Sequence, residues 1–70
     1  MNLRDDLQLI YDWIPAGSRV LDLGCGDGEL LHALVKYKNC KGYGVEIDTD
    51  SVIAAIARGV NVIQADLEQG

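Results

Sequence analysis

The run Val20-Leu21-Asp22-Leu23-Gly24-Cys25-Gly26-Asp27-Gly28 restricts this chain more than any other feature. A short, mostly apolar segment, Arg19-Val20-Leu21-Asp22-Leu23, passes directly into a loop with glycine at every second position. The segment reads as a strand buried on both faces, as in a parallel sheet. Bare backbone at alternate positions lets a ligand lie where Cβ atoms would otherwise stand. A dinucleotide-binding loop would place its third glycine at position 29. Position 29 is Glu, so Asp-x-Gly-x-Gly-x-Gly is a different loop.

The rest of the sequence supplies a layered frame for that loop. Leu3, Leu7, Ile10 and Ile14 recur at helical spacing, which predicts a helix over Leu3–Ile14. Pro15-Ala16-Gly17-Ser18 ends it. A second helix is predicted from Glu29 to Lys38, with Leu30, Leu31, Leu34 and Val35 as its buried face. Gly42–Ile47 reads as a second strand. Asp48-Thr49-Asp50-Ser51 offers caps for a third helix running through Val52, Ile53 and Ile56 to about Arg58. Gly59 stands where a helix-ending residue belongs, and Val60–Ala65 reads as a third strand. Strand, helix, strand, helix, strand implies parallel pairing through right-handed crossovers. The expected fold is therefore α/β, one βαβαβ half of a doubly wound sheet in the order 3-2-1, preceded by one helix.

Acidic residues recur where such a sheet binds ligands, outside the carboxyl ends of its strands. Asp22 lies in the first strand, Glu46 ends the second, and Asp66 follows the third. Asp27 and Glu29 bracket the start of the second helix, where a pyrophosphate would otherwise sit on backbone N–H groups. Two carboxylates there repel a phosphate, so an NAD-binding module is the poorest reading. S-adenosylmethionine (SAM) has no phosphate and carries two positive charges against one carboxylate, so the same acids suit it. Glu46 can accept both ribose hydroxyls, Ile47 can lie flat on the adenine, and Asp66 can accept from its amino group, with the Leu67 N–H facing a ring nitrogen.

These residues resemble the class I SAM-dependent methyltransferases, whose first motif reads as VLDLGCGDG does here. The resemblance covers nearly all of Arg19 to Leu67. It implies a Rossmann-like fold with SAM or S-adenosylhomocysteine as cofactor. Its glycine loop holds the methionyl part, which points to Asp22, Gly24, Gly26 and Gly28. Cys25 sits in the same loop and is counted with the cofactor-binding residues, although any small side chain suffices there. The ribose acid corresponds to Glu46, a mild departure from the commoner Asp, and the adenine-binding acid to Asp66. Asn2-Leu3-Arg4-Asp5-Asp6-Leu7-Gln8, the stretch Ile14–Leu31, Tyr43-Gly44-Val45-Glu46-Ile47-Asp48 and Val62-Ile63-Gln64-Ala65-Asp66-Leu67 are further similar to the methionine-biosynthesis family MetW. That resemblance implies a place in methionine synthesis and an association with homoserine O-acyltransferase (MetX). The full protein would then be a methyltransferase, or a non-catalytic partner that regulates the acyltransferase.

Family members are longer. Residues 1–70 therefore read as an incomplete SAM-binding domain, with 1–18 as helix and linker and 19–70 as the βαβαβ half. No catalytic base or acceptor-binding residue can be named, and the piece alone is expected to transfer no methyl group. An uncovered edge on the first strand would invite self-association.

Charge and composition narrow the partners. Six Lys and Arg stand scattered against 11 Asp and Glu, for a net charge of −5. No basic stripe offers itself to nucleic acid. No apolar run approaches a membrane span, and the acidic start is unlike a secretory leader. Cys25 and Cys40 are far apart with no His or Cys cluster, so no metal site is expected, and free thiols fit a reducing cytoplasm.

Simpler roles stand beside the sharp ones. Asp27 and Glu29 suit the first turn of a helix by charge alone. Asp48 reads as a cap, His32 as a surface residue, and Tyr11 and Trp13 as packing residues. Arg4 can approach the ligand from the first helix, but reads as a surface residue.

Overall fold

The computed structural model describes residues 3–69 of the 70; Asn2, where the family resemblance begins, and Gly70 lie outside the described residues. The elements run α1 (Asp5–Trp13), β1 (Arg19–Leu23), α2 (Glu29–Lys38), β2 (Lys41–Glu46), α3 (Thr49–Ala57) and β3 (Asn61–Gln64), followed by a 3-10 turn over Leu67–Gln69. All strands are parallel in the order β1-β2-β3, the expected order read from its other edge. No helix among the described residues is long and apolar enough to cross a membrane.

The register sorts the strand residues onto two faces. Leu21 lies opposite Tyr43 and Leu23 opposite Val45, while Val45 lies opposite Ile63. Side chains alternate along each strand, so these residues share one face. Val20, Gly42, Gly44 and Val62 share the other, and α2 packs there. Gly42 and Gly44 let it approach. A Cβ on Gly42 would stand 2.9 Å from Leu31 Cδ2, and one on Gly44 would stand 2.5 Å from Cys25 Sγ. Strand β2 therefore carries glycine because a helix and the glycine loop are pressed onto it.

The core joins Tyr11 of α1 to Leu30, Leu31, Ala33 and Leu34 of α2 and to Cys40, with Leu3, Leu7, Ile14 and Val20 packed around it. Leu31 and Leu34 are fully buried. Burying such a side chain contributes about 1.5–3 kcal/mol. Helix α1 has no basic residue in its last turn. Lys38 supplies the charge from α2 instead. Its Nζ donates to the carbonyls of Tyr11 (2.5 Å) and Ile14 (2.9 Å) and lies 4.3 Å from the centre of the Tyr11 ring. The cation thus joins the Ile14 N–H at the Tyr11 carbonyl, satisfies the Ile14 carbonyl beyond the helix end, and holds α1 against α2.

Three expectations from the sequence need correction. Trp13 is not a packing residue: it is 74% exposed, whereas Tyr11 is buried. Strand β1 is not buried on both faces: both crossover helices lie on the Gly44 side, and the other face is open. Leu21, Leu23, Tyr43 and Ile63 are 65%, 60%, 53% and 67% exposed. Val35 does not join the buried face of α2; it is 47% exposed, and Ala33 is buried instead. Val35 lines a groove between α2 and the α3–β3 connection, while α1 widens the covered stripe on the other side. Likewise α3 buries Val52 and Ala55, leaving Ile53 and Ile56 exposed.

Candidate functional site

The glycine loop is held down by its own amides. The Gly24 and Cys25 N–H groups both donate to the Val45 carbonyl (2.7 and 3.2 Å), and the Gly28 N–H donates to Cys25 O (3.1 Å). The Gly26 N–H donates to Glu46 Oε1 at 2.8 Å. Glu46 Oε2 in turn accepts from the Ile47 and Asp48 N–H groups, both at 2.9 Å. A single carboxylate at the end of β2 therefore ties the glycine loop to the turn that starts α3. The Asp48 N–H, followed by those of Gly26 and Ile47, holds the Glu46 carboxyl below the usual carboxylate range.

Asp22 is opposite in character. Burial at the end of β1, and secondarily the charge on Glu46, push its carboxyl above the ordinary Asp value. A carboxylate in that condition gains from a cation brought beside it. Burial and the neighbouring Asp22 and Glu46 charges push the Cys25 thiol up as well. Thiolate is therefore disfavoured and Cys25 is a poor nucleophile. Its sulfur packs over Gly44.

Two clefts open beside the loop and meet at Gly24. The larger, about 510 Å³, is lined by Asp22, Gly24, Cys25, Gly26, Asp27 and Glu29, by Ser51 of α3, by Leu30, and by Arg4, Leu7 and Ile10 at the front of the chain. The smaller, about 320 Å³, is lined by Val45, Glu46, Ile47, Ala65, Asp66, Leu67 and Glu68 together with Gly24. The fold thus brings eight of the nine sequence-derived site residues to the two clefts. Gly28 lines neither. It has φ +79°, and a Cβ there would stand 2.9 Å from Val60 Cγ2, so it serves the packing of α2 against the start of β3. Asp66 uses Oδ1 to accept the Glu68 N–H at 2.9 Å. Gln64 donates from Nε2 to Ile47 O (3.0 Å) and Thr49 Oγ1 (2.8 Å), fixing the loop that carries Ile47.

Asp27 and Asp48 have ordinary work. Asp27 accepts the Glu29 N–H through Oδ1 (3.1 Å) and pairs with Arg58 through Oδ2 (3.3 Å). Asp48 caps α3, accepting from the Ser51 N–H and hydroxyl, and these bonds lower its carboxyl. Among the cleft residues that the sequence did not mark as site residues, Leu7 and Ile10 belong to the apolar stripe of α1. Their periodicity announced a packing face and gave no sign that its forward end borders a cleft.

Chemically, the arrangement opposes phosphate. The N–H groups of Gly24, Cys25, Gly26 and Gly28 already have acceptors, so the loop does not present them to an anion. It offers carboxylates beside two adjoining clefts, a lining that suits a cationic ligand.

Comparison with known proteins identifies the family and the fold. A family model described as methionine biosynthesis protein MetW matches residues 4–70. The chain is 40% identical over 78 aligned residues to a bifunctional methionine biosynthesis protein MetXA/MetW from Rhodopirellula baltica, covering 100% of this chain and 12% of that protein. A TehB-like SAM-dependent methyltransferase from Corynebacterium glutamicum superposes with a TM-score of 0.80 at 24% identity, over 99% of this chain and 38% of that one. A SAM-dependent methyltransferase from Thiobacillus denitrificans, solved with S-adenosyl-L-homocysteine, gives a TM-score of 0.78 at 27% identity, over 91% and 30%. The chain therefore spans about an eighth of its curated relative and a third or so of the solved ones. Its fold matches the N-terminal half of a Rossmann-like methyltransferase.

Proposed function

The chain belongs to the MetW family of methionine biosynthesis proteins, and on that premise we propose that its two clefts bind SAM or S-adenosylhomocysteine. The reading rests on one observation above all: the clefts meet at a loop whose glycine amides are engaged internally, with a carboxylate at each strand end. In this reading the methionyl end lies beside Asp22, Gly24, Cys25 and Gly26, and the adenosine beside Glu46, Ile47, Asp66 and Leu67. Gly28 supports the loop from beneath. Glu46 has two oxygens and accepts three amide bonds. A carboxylate offers about four lone-pair sites, so it retains capacity for a ribose hydroxyl. SAM, when bound, supplies an electrophilic methyl group; the residues here position it.

Parallel calorimetric titrations of the protein with SAM, S-adenosylhomocysteine and NAD test the ligand class. The adenosyl compounds are expected to bind and NAD to give no heat. Binding of NAD alone reverses the assignment.

The relative in which MetXA and MetW share one polypeptide supports a second reading, in which the domain acts on a homoserine O-acyltransferase as partner or regulator. Regulation requires SAM to bind the free and complexed forms with different affinity. Co-purification with the acyltransferase, with and without SAM, decides it. A SAM-dependent change in complex yield or acyl transfer is expected; no complex and unchanged acyl transfer remove the idea.

A further inference from the structure

We propose that Arg4 recognises the α-carboxylate of the ligand's amino-acid end, making it a specificity-determining residue of the larger cleft; this rests on the SAM reading above. The cleft wall carries Asp22, Asp27 and Glu29, and among the described residues Arg4 is the one cationic side chain that lines it. An amino-acid group presents an ammonium and a carboxylate together. The acids answer the first. The second needs a donor, and the glycine loop has little to spare: the N–H groups of Gly24, Cys25 and Gly28 are spent on carbonyls and that of Gly26 on Glu46.

Arg4 is available in a way those amides are not. Its present ion partner is Asp6, at 3.7 Å between Nε and Oδ1, and both side chains are largely exposed. A long, solvated pair of this kind is exchanged readily. A guanidinium also fits a carboxylate with two parallel hydrogen bonds. Its position is set by the fold, because Arg4 precedes α1 and Lys38 fastens that helix to α2. The cleft would thus read both charges of the amino-acid end, Asp22 the positive and Arg4 the negative.

The test compares S-adenosylhomocysteine with its decarboxylated analogue by calorimetry on the parent protein, Arg4→Ala and Arg4→Lys, with thermal melts to verify folding. The parent is expected to prefer the carboxylate-bearing ligand by about tenfold or more, the scale of a charged hydrogen bond. Arg4→Ala is expected to lose that preference while holding the decarboxylated compound as the parent does, with Arg4→Lys between. Equal weakening of both ligands, or no change in either, overturns the role of Arg4 alone. Failure of the parent to bind either compound overturns the SAM reading and this assignment with it.

Discussion

Asp22 and Glu46 show how one kind of side chain takes two characters within a single site. Glu46 is stabilised as a carboxylate by three backbone N–H groups, whereas Asp22 is made uneasy as one by burial and by Glu46. Their contributions to stability therefore run oppositely with pH. Glu46, with a lowered carboxyl, stabilises the fold above the ordinary Glu value of 4.5, and this is lost as pH falls. Asp22, with a raised carboxyl, costs stability as pH rises from its ordinary value of 3.8 through its folded one. Asp22→Asn is thus expected to melt higher than the parent at neutral pH, with the gap closing below about pH 4. On the proposed reading, in which Asp22 faces the ligand's ammonium, the same variant is expected to bind SAM more weakly. Melting curves across pH and a SAM titration check both; a variant that melts lower at pH 7 contradicts the account. The positions of Asp22, Glu46 and Asp66 at successive strand ends were legible in the sequence, because strand–helix–strand spacing sets them. That Glu46 also staples Gly26 was not: such a bond depends on how closely the loop folds back on β2.

At the scale of elements, helix α1 shows where periodicity stops being informative. The stripe Leu3, Leu7, Ile10, Ile14 located the helix to within two residues at its start and one at its end. The bounds of β1 and α2 matched outright. Nothing in the spacing told which partner α1 would meet, or that Lys38 would complete its last turn from another helix. The burial of Val35 was misjudged for the same reason: a helical pattern names a stripe, and the neighbours decide how wide it is. Lys38→Ala removes two charge-assisted hydrogen bonds and a ring contact. The variant is expected to lose roughly 2–3 kcal/mol of stability, on the scale of such bonds. It should also show faster hydrogen–deuterium exchange across Asp5–Trp13 and weaker binding in the cleft that Arg4, Leu7 and Ile10 border. Unchanged exchange in α1 would show that apolar packing alone holds the helix.

At the scale of the whole molecule, both crossover helices cover one face of the sheet and leave the other open. Leu21, Leu23, Tyr43 and Ile63 stand exposed on that face, and β1 is an edge of the sheet among the described residues. An uncovered apolar strand edge favours association. The 70-residue chain is expected to sediment above monomer weight, and Leu21→Lys with Ile63→Lys to shift it toward monomer; a monodisperse monomer contradicts this. The expectation of a strand buried on both faces came from composition, which reports apolar side chains without saying what covers them. The most direct test of the central claim is the affinity of the protein for S-adenosylhomocysteine before and after the paired change Glu46→Gln and Asp66→Ala. A loss of roughly a hundredfold is predicted, from at least two charged hydrogen bonds. Affinity equal to the parent's would show that the adenosyl group is not held by these carboxylates.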